Sequence, residues 1–92
     1  GQRTVRLRIE GLVQGVGFRV FVEREAQSRG LTGWVRNRRD GGVEAVVSGP
    51  GGDVDWLIER VHEGPRFARV DMVKVLDETE HPASRFEVRA TA

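Results

Sequence analysis

The residues whose types could do chemistry stand together at Gly15-Val16-Gly17-Phe18-Arg19, preceded by Gly11-Leu12-Val13-Gln14. Three glycines in the seven residues 11–17 read as a loop that hands a strand over to a helix. Glycines there let the backbone curl so that successive N–H groups point at one spot. The unpaired N–H groups and positive dipole end of the following helix add to the same concavity. Such a cup suits a phosphate. Arg19, one residue into the first helical turn, can turn its planar guanidinium to the rim and bind two oxygens in a fork, with a charge that does not titrate in the working range. The loop is not a P-loop, since no GxxxxGK[ST] occurs, and Val20 stands where a dinucleotide fingerprint wants its third glycine. The same pattern also fits a tight strand-to-helix turn with a solvated arginine, and the residues alone leave both readings open.

Asn37 is the second candidate, at the end of a strand just before the Asp40-Gly41 turn. Asparagine is a favoured strand-end residue because its amide bonds nearby backbone. In a split βαβ sheet the two halves of the chain interleave, so this strand end can approach the glycine loop. An amide there can hold a water in line with a bound phosphorus without acting as a base.

The elements that must position these residues are short. Val5, Leu7 and Ile9 alternate with Arg6, Arg8 and Glu10, the period of a strand with one apolar face. Residues 18–29 lack Gly and Pro, and Phe18, Phe21, Val22 and Ala26 recur at helical spacing until Gly30; Glu25 falls inside the same stripe. Residues 32–38 and 43–48 read as strands of a hairpin around Asp40-Gly41. Gly49-Pro50-Gly51-Gly52 reads as a break, and Asp53 as the N-cap of a helix whose Val54, Leu57, Ile58 and Val61 form one stripe up to Gly64-Pro65. Residues 68–76 read as a strand whose alternation slips between Val70/Met72 and Val73/Val75, as a bulge would make it, and residues 85–89 as an edge strand. Each helix has a single apolar stripe, so both must cover one face of the sheet. The resulting fold class is α+β: a ferredoxin-like βαββαβ sandwich, an antiparallel sheet with two helices on one face.

Composition narrows the function classes. The 92 residues suit a single domain over 1–92. With 38% hydrophobic residues, 32% charged and a mean hydropathy of −0.41, no apolar run approaches a membrane span. Fifteen basic against fourteen acidic residues give +1, so no overall field draws in a nucleic acid or an anionic membrane. Zero cysteines exclude a disulfide framework, a catalytic thiol and a zinc ribbon, and favour a cytoplasmic address. Gly1-Gln2-Arg3-Thr4 lacks an initiating Met and reads as a processed end or an appended remnant.

Other residues read as ordinary. His62 and His81 lack partners at metal spacing and read as surface histidines, and Ser28, Ser48 and Ser84 lie outside a GxSxG context. Asp53 and Asp55 read as dipole-stabilising residues of a first helical turn, and Trp56 as partly exposed along arginine stems. Arg36, Arg38 and Arg39 read as a solvated turn, with attraction of an anionic substrate as the second choice.

Gly11-Leu12-Val13-Gln14-Gly15-Val16-Gly17-Phe18-Arg19, then Gly30-Leu31-Thr32-Gly33-Trp34-Val35-Arg36-Asn37, then Asp40-Gly41-Gly42-Val43-Glu44 and Gly64-Pro65, resemble the acylphosphatase family over essentially the whole chain. The resemblance implies a ferredoxin-like hydrolase that splits the carboxyl–phosphate anhydride of acyl phosphates into carboxylate and inorganic phosphate. It implies no metal, no cofactor and no covalent intermediate. By the same resemblance, Arg19 and the amides of Gln14, Gly15, Val16, Gly17, Phe18 and Arg19 hold the phosphoryl group, while Asn37 orients the attacking water. Inorganic phosphate or sulfate is then expected to occupy the site, and a monomer is the default. Residues 77–84 depart most from the family pattern, which bears on acyl preference.

Two readings compete. An RNA-binding sheet would need aromatics on its open face, and the first and third strands offer none there. A phosphate sensor, or the acylphosphatase-like domain at the start of a hydrogenase-maturation carbamoyltransferase, would bind the anion without this turnover.

Overall fold

The strand-type alternation at the start of the chain runs further than its apolar residues do. In a computed structural model, which describes residues 1–80, 82 and 84–92, β1 spans Gln2–Leu12, so Gly11 and Leu12 belong to the strand and not to the loop expected over them. Then come α1 (Phe18–Ser28), β2 (Thr32–Asn37), β3 (Val43–Pro50), α2 (Gly51–Glu63), β4 (Arg69–Asp77) and β5 (Phe86–Val88). The strand order is β4-β1-β3-β2-β5. The first four strands pair antiparallel, as expected of the ferredoxin-like order. β5 runs parallel to β2, so the five-stranded sheet is mixed and not antiparallel throughout. The physical reason is the connection: the chain leaves β4 at one edge and crosses the whole sheet before it enters the other.

Several boundaries move for local reasons. β3 continues through Gly49 and Pro50, because Gln2 and Arg3 of β1 extend far enough to pair with them. α2 therefore starts at Gly51 with Pro50 in the capping position, and Asp53 sits inside the first turn instead of capping it. The slip read in residues 68–76 is real. Glu10 faces Met72 and Gly11 faces Val70, so Asp71 is an extra residue and Val70 and Val73 both lie against the core.

Val5, Leu7 and Ile9 of β1, Val22 and Ala26 of α1, and Val54, Leu57 and Val61 of α2 meet in one fully buried cluster on one face of the sheet. Each of these Val, Leu and Ile side chains removed from water contributes about 1.5–3 kcal/mol. Glu25, the polar intruder in the α1 stripe, is met by Arg60 of α2 at 2.8 Å, which ties the two helices together. Trp56 carries Arg29 over its ring at 4.0 Å, as expected of an indole packed along an arginine stem.

The helix-free face is not bare. Trp34 lies on it and is only 2% exposed. Arg6, Arg36 and Arg89 each place a guanidinium over its ring, and its Nε1 donates to Glu80 at 2.7 Å. Glu78 bonds Arg6 beside it, so Glu78 and Glu80, just after β4, cover part of this face. The one aromatic there is thus closed off from base stacking.

Candidate active site

The loop between β1 and α1 is built on two left-handed glycines. Gly15 and Gly17 have φ of 74° and 78°. A Cβ at either would meet open space, so the demand for glycine comes from backbone conformation and not from crowding. Gly17 occupies the N-cap position of α1, and its carbonyl accepts the first helical bond from Phe21 at 3.0 Å. No backbone N–H of residues 14–20 finds an acceptor among the described residues. A run of unpaired donors at a helix start, where the dipole is positive, forms an anion cup.

Asn37 reaches this cup through strand alternation. Arg36 and Arg38 project to the helix-free face, so Asn37 between them projects to the side of α1 and the loop. Its Oδ1 is buried and has no hydrogen-bond partner among the described residues, while its backbone carbonyl accepts from the Ala92 N–H at 3.1 Å. Arg19 and Asn37 line a single cleft of about 550 Å³, together with Gly15, Gly17 and Phe18. Arg19 makes no ion pair among the described residues. Its fork is available to a ligand. An unpaired guanidinium, a curl of amides and an unpartnered amide oxygen can hold a phosphoryl group and orient a water beside it.

Of the six loop residues expected to hold phosphate, Gly15, Gly17, Phe18 and Arg19 line the cleft. Val16 packs its side chain against the core, and its backbone N–H finds no acceptor among the described residues. Gln14 points its side chain elsewhere: Nε2 donates to the carbonyls of Arg38 at 2.7 Å and Gly42 at 2.8 Å. Those two residues close the β2–β3 hairpin, with the Arg38 N–H bonded to the Gly42 carbonyl. Gln14 therefore braces the loop carrying Arg19 against the hairpin carrying Asn37. The replacement Gln14→Leu leaves its backbone amide in place but loses both bonds. It is expected to lower kcat about tenfold while the inhibition constant of inorganic phosphate shifts by less than about threefold, as steady-state kinetics will read.

The basic turn differs from its sequence reading. Arg36 and Arg38 are only partly exposed; they turn to Glu44, which is only 2% exposed on β3. Arg6 and Arg8 reach the same carboxylate from β1, so four guanidiniums from the two strands flanking β3 and the turn after β2 share one anion. Burial pushes the Glu44 carboxyl up, but the hydrogen bonds and charges of Arg36 and Arg6 outweigh it and hold it below the usual carboxylate range. Only Arg39 of the three stays exposed. The signal for Glu44 lay in register: a hairpin centred on Asp40 puts Arg36 opposite Glu44.

His62 is exposed, with Nδ1 2.9 Å from the Ile58 carbonyl, and His81 lies outside the described residues. Asp53 pairs with Arg29, and Asp55, beyond the first turn, with Arg3. Two further cleft residues, Glu23 and Glu87, carry no sequence signal that singles them out.

Fold and cleft together define a ferredoxin-like α+β protein whose glycine-built loop of unpaired amides borders one cleft. The chain belongs to the acylphosphatase family, whose model matches residues 5–88. An acylphosphatase of Salinibacter ruber is 53% identical over 74 residues, which are 80% of this chain and 78% of that one. The crystal structure of acylphosphatase from Bacillus subtilis superposes with a TM-score of 0.89 at 39% identity, covering 94% of this chain and 97% of that one. The structure of full-length HypF in its phosphate- and nucleotide-bound form matches with a TM-score of 0.90 at 29% identity, covering 99% of this chain but 12% of that one.

Proposed function

We propose that residues 1–92 form one acylphosphatase domain that seats the phosphoryl group of an acyl phosphate on Arg19 and the loop amides, with a water directed at phosphorus by Asn37. As a member of its family the chain is a hydrolase of acyl phosphates. In the step proposed here the water oxygen bonds to phosphorus as the phosphorus–acyl oxygen bond breaks. The carboxylate leaves with that electron pair, and the water's proton passes to the released phosphate. Phosphoryl transfer needs little covalent help, so neutralising the equatorial oxygens and aligning the nucleophile are the main tasks, and a carboxylate is already a good leaving group.

The observation that carries this reading is the meeting of Arg19, Asn37 and the unpaired amides on one cleft. The scheme uses no resident metal, and among the described residues no three acidic or histidine side chains converge as ligands. Inorganic phosphate or sulfate, as the product or its mimic, should compete directly for the cup. Raising phosphate is therefore expected to raise KM for benzoyl phosphate linearly at constant kcat. A fall in kcat at constant KM would place the anion elsewhere.

The match to a segment of HypF favours a second reading, a phosphate-binding domain of a larger enzyme. Tight binding of phosphate by a folded chain without turnover of benzoyl phosphate would select it. We further assign the protein a cytoplasmic monomer's role on a small-molecule substrate, without nucleic acid or membrane. No helix among the described residues is long and apolar enough to cross a membrane.

A further inference from the structure

Beyond the phosphoryl end, the cleft has a chemical character of its own. Val20 and Val88 form part of its wall and remain 46% and 39% exposed. The remaining charged side chain that turns to that wall is a carboxylate, Glu23, and Arg19 is the sole cation among the described cleft-lining residues. Glu23 lies one turn after Arg19 on the same face of α1 and forms no ion pair among the described residues. Glu87 borders the cleft as well, but it stands in register with Trp34 and pairs at 3.2 Å with Arg89, which lies over the Trp34 ring, so its carboxylate belongs to the helix-free face. Once Arg19 is matched to the phosphoryl oxygens, the surface left for the acyl group is apolar and negative.

We propose that this half of the cleft selects acyl phosphates whose acyl group is apolar and neutral or cationic, and rejects those carrying a further carboxylate or phosphate. The inference rests on the acylphosphatase reading and names its substrate class. A second anionic group held a few ångströms from Glu23, in a cleft only partly screened by water, meets a repulsion that lowers productive binding by about tenfold or more. An apolar ring laid on Val20 and Val88 meets no such cost. The opposite arrangement is also available to the molecule: a neighbouring hollow shares Gly17 and Val20 with the cleft and carries Arg24. An acyl group directed there would favour a negative charge.

The test is a matched series of benzoyl phosphate, para-carboxybenzoyl phosphate and para-aminomethylbenzoyl phosphate, each kcat/KM divided by its own uncatalysed hydrolysis rate. For the parent, the carboxyl compound is expected at least about tenfold below benzoyl phosphate and the aminomethyl compound at or above it. In Glu23→Gln, the gap is expected to close to within about threefold. Equal corrected rates in the parent, a preference for the carboxyl compound, or a gap that persists in the variant would each overturn the inference. The first two would direct the acyl group toward Arg24. Such results leave the acylphosphatase reading standing, whereas a folded parent that hydrolyses none of the three overturns both.

Discussion

Asn37→Ala is expected to lower kcat for benzoyl phosphate by about 10²- to 10³-fold while the inhibition constant of inorganic phosphate stays within about twofold of the parent's. The asymmetry follows from where the residue sits. The amides and Arg19 to which we assign the anion belong to the loop and the start of α1, whereas Asn37 belongs to β2 and contributes a buried Oδ1 with no partner among the described residues. Removing it deletes the group to which we assign the water and leaves the loop and Arg19 in place. The backbone should hold, because the Asn37 carbonyl keeps its bond from Ala92 and the neighbouring arginines keep Glu44. A variant that loses phosphate affinity in proportion to kcat would make Asn37 part of the anion cup and would remove the water-orienting role.

The second large effect is on stability. Glu44→Gln is expected to destabilise the fold by about 3–5 kcal/mol, because it leaves four guanidiniums facing one another across β1, β2 and β3 with their shared anion gone. For a domain of this size that corresponds to a fall in melting temperature of more than about 10 °C. The pH dependence gives an independent check. The Glu44 carboxyl is held below its usual range in the folded chain, so the unfolded chain binds the proton more readily. The stabilisation is thus fully present above the unfolded carboxyl value of about 4.3 and is lost as pH falls through the lower folded value. Glu78, held down by the Glu80 backbone N–H and then by Arg6, acts in the same direction. Urea titrations should show the parent's stability falling below about pH 4 and the variant's falling less steeply there. A variant as stable as the parent would mean that the arginines are satisfied by Glu78, Glu80 and solvent alone.

How much of this was legible in the chain depends on how local the cause is. Alternation in residues 5–10 and the apolar stripe at Val54, Leu57 and Val61 each report a face turned to the core, and both elements form where the pattern puts them. The Asp40-Gly41 signal sets the hairpin, since Asp40 Oδ1 accepts from the Gly42 N–H at 2.9 Å. Residues whose roles depend on distant partners stayed hidden. Trp34 is covered by its strand neighbour Arg36 and by Arg6, Glu80 and Arg89, three residues far from it in sequence. Gln14 looked like one more loop amide, and only the closeness of the hairpin carbonyls makes its side chain a brace. The parallel pairing of β5 likewise depends on the path of the preceding segment, which composition does not encode. Arg19 and Asn37 were readable as candidates because left-handed glycines and a strand-end asparagine are local features.

The central claim is that Arg19 and the amides around it hold a phosphoryl group for attack by water. Its most direct test is the rate of benzoyl phosphate hydrolysis in EDTA, measured side by side for the parent and Arg19→Gln, with circular dichroism to establish that both are folded. The account predicts rapid cleavage by the parent and a loss of about 10³-fold or more in kcat/KM in the variant, with phosphate inhibition lost as well. Equal hydrolysis by the two folded proteins would contradict it, because the catalytic charge would then lie somewhere other than Arg19.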